Sequence, residues 1–249
     1  MSKLSTTHLE YSGKGVYTLS QAGRLIGERP TTISRWLFGY THAQTLAGAV
    51  VKRTSSPLWK SQYDEDDVGE KVIGFNDLME LRVVRQFIKK DLSLQFIRRC
   101  LDNARVRFGG DAYPFSSKRF ETDGQDIYLS TGNEAAFKDT IALSSGQYVF
   151  RNIIQRSLFA GVEFQGNLAK RWFPELVGKP VIVLDPEISF GEPVIKASGV
   201  PTAALYGLYV ANGSNSDAIQ SVARIYEVTV LEVRRAVKFE EGLRVKLAA

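Results

Sequence analysis

The sequence predicts a mainly α-helical chain with small β elements (α+β). It is expected to hold an N-terminal winged helix-turn-helix and a C-terminal three-helix domain with a short β-hairpin. Three observations predict this. Two short runs of helical period, 18–26 and 30–37, meet across a glycine; a β-prone basic stretch, 49–53, follows; and three further helical runs stand behind a Pro- and Gly-punctuated strand that starts at residue 181. With 249 residues, 44% of them hydrophobic and 24% charged, the chain is long enough for two domains with real cores. The expected divisions are 1–110, a connecting α/β region at 111–180 that is a candidate dimer surface, and 181–249. Breaks fall at Phe108-Gly109-Gly110-Asp111-Ala112-Tyr113-Pro114 and near Gly178-Lys179-Pro180.

The first helix is marked by Thr18 with Gln21 three residues on, a capping box in which each side chain satisfies a free backbone N–H of the first turn. Leu19, Ala22, Leu25 and Ile26 then repeat at helical spacing, and Gly27 supplies a left-handed stop. Pro30 suits the first turn of a second helix, where its missing N–H costs nothing. In that helix Ile33, Trp36 and Leu37 share a face, and Thr31 and Arg35 point away from it, flanked by Thr32 and Ser34. Two short helices across a tight turn form a helix-turn-helix, whose second helix enters the major groove of double-stranded DNA. The candidate DNA-binding residues are therefore Gln21, Arg29, Thr31, Thr32, Ser34 and Arg35. Arginine suits a guanine edge or a phosphate, and hydroxyls near a helix N-terminus suit phosphate.

The stretch Ala49-Val50-Val51-Lys52-Arg53, with Ser55-Ser56-Pro57 as a turn, predicts a wing whose Lys52, Arg53 and Lys60 face the phosphate backbone. The acidic run Asp64-Glu65-Asp66-Asp67 is expected in solvent, away from a duplex. A third helix is expected from Phe75-Asn76, capped by Asn76, with Phe75, Leu78, Leu81, Val84 and Ile88 inward. A fourth starts at Ser93, with a Leu92–Ile97 staple and Leu94, Ile97, Leu101 and Ala104 inward. Its Arg98, Arg99, Arg105 and Arg107 are either phosphate contacts or a solvated face.

Residues 17–104 resemble the winged helix-turn-helix of the MerR-like group, through "YTLSQAGRLIG", then "PTTISRWL", then "FNDLMELRVVRQFIKKDLSLQFIRRCL". The group usually carries Gly where this chain has Asp91, and its long dimerisation coiled coil and metal-binding cysteines are absent here. The resemblance implies a DNA-binding regulator.

Charge agrees with a nucleic-acid partner for the first half. Residues 1–112 hold 17 Lys and Arg against 12 Asp and Glu, whereas 113–249 hold 15 of each. Other classes are not expected. No apolar run approaches the roughly 20 residues of a bilayer span, and the N-terminus lacks the apolar core of a signal peptide. Cys100 is the single cysteine, so no intrachain disulfide forms and a cytoplasmic location is expected. With only His8 and His42 beside it, no typical zinc set exists. No nucleophile elbow, phosphate-binding glycine loop or histidine-based catalytic set appears, so neither enzymatic activity nor a cofactor is expected.

In the middle region, 119–129 reads as a hairpin turning at Asp123-Gly124, and Tyr148 to Gly161 as an amphipathic helix. Val181-Ile182-Val183-Leu184 is strand-like and leads through Pro186, Gly191, Pro193 and Pro201 into helices at 202–210, from Ser216 (Ser214 competing as cap) to about Tyr226, and from Thr229 to about Glu241. Inward positions are Leu205, Leu208 and Tyr209; Ile219, Val222 and Ala223; and Val230, Val233 and Val237. Thr229 with Glu232 is a second capping box. Asp185 and Glu187 flank a proline and read as a capping feature.

Residues 181–242 resemble the small helical domain of unknown function family 433, through "DPEISFGEPVI", the following Val200-Pro201 and "VRRAVKF"; the family's Gly-Thr-Arg before the Pro is here Ala197-Ser198-Gly199. Together the two resemblances point to VapB-type antitoxins, whose partner toxins are PIN-domain ribonucleases. The implied activity is a homodimer that binds double-stranded operator DNA, represses its own operon and neutralises such a toxin, with Arg244 and Lys246 as candidate toxin contacts. The alternative is a MerR-like transcriptional regulator that has no toxin and senses a small molecule through its middle region.

Overall fold

Helix α1 (Leu19–Ile26) begins where its capping box places it: Thr18 N–H donates to Gln21 Oε1 at 2.8 Å, and Gln21 N–H to Thr18 Oγ1 at 3.2 Å. This computed structural model describes residues 13–46, 49–64, 69–120, 123–124, 126–127, 131, 159–175 and 178–248. They form two units: Thr18–Leu158, and Phe159–Ala249 together with the N-terminal segment up to Tyr17. Each is of α+β class, helices with short antiparallel strand pairs.

In the first unit, α1 is followed by α2 (Pro30–Phe38) and an antiparallel hairpin of β1 (Tyr40–Leu46) and β2 (Ala49–Ser55), then α3 (Phe75–Ile88) and α4 (Leu94–Arg107). Ala22, Leu25, Ile33, Trp36 and Leu37 are buried, as the helical spacing requires. The core continues through Phe75, Leu78, Leu81, Val84 and Phe87 of α3 and Ile97, Leu101 and Ala104 of α4. Leu94 is only half-buried, and Phe96 and Cys100 fill the inner face with Ile97. Burial pushes the Cys100 thiol up to about 12.

The start of α3 differs from the expectation. Asn76 lies inside the helix; the Gln62 side-chain oxygen accepts its N–H at 2.8 Å and that of Asp77 at 3.3 Å, while Asp77 Oδ2 accepts the Gly74 N–H at 3.0 Å. The cap comes from a distant loop, which local sequence does not reveal. Between α3 and α4, Asp91 sits at φ 61°, in the left-handed region that glycine adopts more easily.

The expected hairpin at 119–129 is not formed. Residues 118–120, 123–124, 126–127 and 131 are helical, and Phe120, Gly124, Ile127 and Thr131 are buried at steps of four, three and four. Asp123 and Asp126, one turn apart, both face Arg107 at 3.7 and 3.5 Å. A helical apolar stripe outweighed the turn preference of one Asp-Gly pair. The expected helix at 148–161 lies outside the described residues except for its last three, which form a turn.

The second unit contains the hairpin β3 (Val162–Gln165) and β4 (Leu168–Trp172), the short pair β5 (Ile182–Val183) and β6 (Val194–Ile195), and helices α5 (Thr202–Ala211), α6 (Ser216–Ile225) and α7 (Val230–Ala248). Its core joins Ile182 and Ile195 to Leu205, Val222, Ala223, Val233, Ala236 and Val237. Leu208, Tyr209 and Ile219 pack at its edge, whereas Val230 is 39% exposed and Ala236 takes the inner place on α7. Asn215 caps α6 through its side chain, 2.8 Å from the Ala218 N–H, and not Ser216 or Ser214. The Thr229–Glu232 box precedes α7 as expected. Asp185 accepts the Glu187 N–H at 3.0 Å and pairs with Arg171 at 3.2 Å, a turn-closing role. The N-terminal segment closes this unit: Val16 N–H donates to the Phe190 carbonyl, and the buried Tyr17 hydroxyl donates to the Gly191 carbonyl at 2.7 Å. Gly191 has φ 85°, and a Cβ there would run into that hydroxyl.

Candidate nucleic-acid interface

The turn between α1 and α2 is set by two glycines. Gly27 ends α1 at φ 73°, and its N–H and that of Glu28 both donate to the Gly23 carbonyl, at 2.7 and 2.9 Å. A Cβ on Gly23 would stand 2.5 Å from the Glu28 carbonyl oxygen, so the chain can turn this closely only without one. Pro30 then opens α2 with no N–H to satisfy.

This turn presents the predicted face of α2. Arg29, Thr31 and Arg35 are exposed, and Thr32 and Ser34 half-buried, while Ile33, Trp36 and Leu37 hold the helix down. Gln21 is half-buried, and its side-chain oxygen is used by the cap.

The wing separates residues that the sequence grouped. In the hairpin, His42 lies opposite Arg53 and Ala43 opposite Lys52. Neighbouring strand residues point to opposite faces, so Tyr40, His42 and Arg53 share one face and Lys52 lies on the other. The Arg35 guanidinium lies over the Tyr40 ring at 5.4 Å, and the Tyr40 and His42 rings are 5.4 Å apart. Arg35, Tyr40, His42 and Arg53 therefore run together from α2 onto one side of the wing. Lys60 is exposed beyond the wing, lining a groove of about 820 Å³ with Leu37, Phe38 and Trp59. Tyr40 and His42 were not singled out by sequence; their alternation after Gly39 was the available signal. Of the acidic run, Asp64 is exposed and 65–67 lie outside the described residues.

Two of the outward arginines of α4 hold the base of this wing. Arg98 donates to the carbonyls of Pro57 and Ser56 at 2.8 and 2.9 Å, and Arg105 to that of Leu58 at 3.1 Å. Leu58 N–H in turn donates to the Trp36 carbonyl of α2 at 2.8 Å. Three consecutive carbonyls leaving the hairpin are thus fixed by α4, and the wing is tied to α2.

With this geometry in place, known proteins supply a match. The chain is similar to a named antitoxin. It is 28% identical over 232 residues, 89% of this chain and 92% of the other, to the Mycobacterium tuberculosis protein "Putative antitoxin VapB45". No family model matches the chain. The fold is also that of the crystal structure of Rv2018 from Mycobacterium tuberculosis, with a TM-score of 0.59 and 22% identity, covering 89% of this chain and 96% of that one. Both matches span most of the sequence. Among the described residues no helix is long and apolar enough to cross a membrane, and no cluster of three His, Cys, Asp or Glu is placed to hold a metal ion.

The candidate toxin contacts lie in the second unit. Arg244 is exposed, with its guanidinium over the Tyr206 ring at 4.4 Å. The side chain of Lys246 lies outside the described residues. The tail is not separate from the fold: α7 runs to Ala248, and Leu243 is buried.

Proposed function

We propose that the protein is the antitoxin of a bacterial toxin–antitoxin pair, a cytoplasmic homodimer that binds double-stranded operator DNA and represses its own operon. Its second unit neutralises a PIN-domain ribonuclease, with Arg244 and Lys246 reaching the toxin. The observation that carries this reading is the run from Arg35 through Tyr40 and His42 to Arg53. It joins the outer face of α2 to one face of a wing, in a chain resembling a named antitoxin over 89% of its length. Arg35, Thr31, Thr32, Ser34 and Arg29 meet the major groove and its phosphates, and Arg53, Lys52 and Lys60 the flanking backbone.

The test is binding of the full chain to the DNA upstream of its own gene across salt concentrations. Tight binding with a steep salt slope, lost in Arg35→Ala, supports the reader; binding without sequence preference sinks it. Because Leu243 is buried, the toxin contact is tested with Arg244→Ala and Lys246→Ala and not by truncation. Unchanged inhibition of the toxin would remove both residues from the account.

A second reading is a small-molecule-responsive regulator without a toxin. It is favoured by the groove of about 820 Å³ beside the wing base, where Phe38, Trp59, Lys60 and Lys71 would suit an anionic aromatic ligand. A nuclease encoded beside this gene favours the first reading over the second.

A further inference from the structure

Helices α6 and α7 meet at a tight turn, with Glu227 at φ 54° and the Thr229 cap, and a cleft of about 570 Å³ opens between them. Val228 and Val230 line it, with Gln220, Arg224 and Arg234 at its lips. Several other cations of this unit have partners among the described residues. Arg171 pairs with Asp185, Lys170 with Glu187 and Arg235 with Glu175, while Lys196 lies over the Phe173 ring. Arg224 and Arg234 are exposed, and neither has a hydrogen bond or ion pair among the described residues. Beside them Ile225 and Leu231 are each 60% exposed and Val230 39%.

Two unmatched guanidiniums with an aliphatic shoulder are the composition of a protein-binding centre. A duplex would ask for a basic field, and residues 159–249 hold ten Lys and Arg against ten Asp and Glu. We propose that the α6–α7 cleft docks a carboxylate-bearing segment of the toxin. Arg224 and Arg234 take its carboxylates, and Val228 and Val230 receive an apolar side chain between them. This rests on the antitoxin reading and adds to it a docking surface separate from Arg244 and Lys246.

The test uses the full chain and the protein encoded by the reading frame beside its gene, with affinity measured by calorimetry for wild type and for Arg224→Glu/Arg234→Glu. The expected result is a wild-type complex weakened roughly 100-fold in the double variant, with an unchanged melting temperature. Should that variant fail to fold, Arg224→Gln/Arg234→Gln is read the same way. A wild-type complex with equal affinity in the folded variant overturns the cleft and leaves the antitoxin reading standing. So does a variant that keeps the protein complex but loses affinity for a short random duplex, because the cleft then serves nucleic acid. No complex with wild type overturns the antitoxin reading, and the cleft with it.

Discussion

The Trp59 indole donates a 2.8 Å hydrogen bond to Oδ1 of Asp77, a carboxylate buried at the start of α3. Its other oxygen accepts from Ser61 Oγ and from the N–H groups of Gln62 and Gly74, at 2.9, 2.9 and 3.0 Å. Burial pushes the Asp77 carboxyl above its ordinary range, and these four donors pull the other way. One side chain thus fixes the loop leaving the wing and the entry to α3. Asp77→Asn places an amide among donors and is expected to cost about 2–4 kcal/mol in urea unfolding. Trp59→Phe removes a single donor and should cost about 1–3 kcal/mol.

The clamp on the wing base predicts an indirect effect on DNA. Arg98→Ala should cost only about 1 kcal/mol of stability, because its side chain is partly in solvent. Hydrogen exchange at residues 40–58 should nonetheless quicken, and affinity for the upstream DNA should fall, because the guanidinium of Arg98 is spent on the Ser56 and Pro57 carbonyls. Unchanged exchange in the hairpin would show that the wing does not depend on this clamp.

The two faces of the wing predict unequal roles for adjacent cations. Arg53→Ala should weaken binding more than Lys52→Ala, since Arg53 shares the side of Tyr40 and His42. Removing a cation that neutralises one phosphate lowers the salt slope by about 1, and Arg35→Ala should in addition relax sequence preference by about 1–3 kcal/mol. Equal effects from Lys52 and Arg53 would mean that the duplex meets the wing edge-on.

Glu80 makes stability depend on pH. It is fully buried and, among the described residues, accepts only from the Ser116 N–H and hydroxyl at 2.7 and 3.0 Å, which leaves Oε2 without a partner there. Burial raises its carboxyl from 4.5 to about 8, partly offset by those two donors. The folded state therefore keeps a proton that the unfolded chain releases. The contribution is intact below the unfolded value and is lost as pH rises through the folded one. Unfolding free energy should fall between about pH 4.5 and 8, by at most roughly 1.4 kcal/mol per unit. Glu80→Gln should flatten that slope; an identical pH profile in the variant would exclude Glu80 as its source.

At Asp91 the left-handed backbone predicts two opposite outcomes. Asp91→Gly relieves the side-chain strain and should stabilise by a few tenths of a kcal/mol to about 1, while Asp91→Ala should destabilise by a similar amount. Thermal melts of both variants check this, and equal melting temperatures would show that the position carries no strain.

Local signals made α1 and α2 legible in the sequence: a capping box, a stop glycine, a proline at the first turn and a periodic apolar face. The same held for the Thr229 cap and most of the core of α5–α7. What the sequence did not reveal depends on partners far along the chain. The α3 cap comes from Gln62, Arg98 and Arg105 reach carbonyls more than forty residues away, and Asp77 is satisfied by a loop that no spacing announces. The helical stripe Phe120, Gly124, Ile127, Thr131 was present but weak, with a glycine and a threonine among its four members. The candidate site divided in the same way. The face of α2 followed from helical period, whereas the split between Lys52 and Arg53 required the register of β1 against β2.

The bond between Tyr17 and Gly191 joins residues 174 positions apart, and the segment Thr18–Leu158 lies between them in the sequence while belonging to the other unit. On the ribosome this imposes an order. At about 5–20 residues per second, Tyr17 waits roughly 10–35 s for its acceptor to be made, whereas Arg98 and Arg105 of α4 emerge after their carbonyl acceptors at Ser56, Pro57 and Leu58. A chain released early can complete the helix-turn-helix and still leave Tyr17 with no carbonyl to meet, so a finished second unit certifies nearly full-length translation.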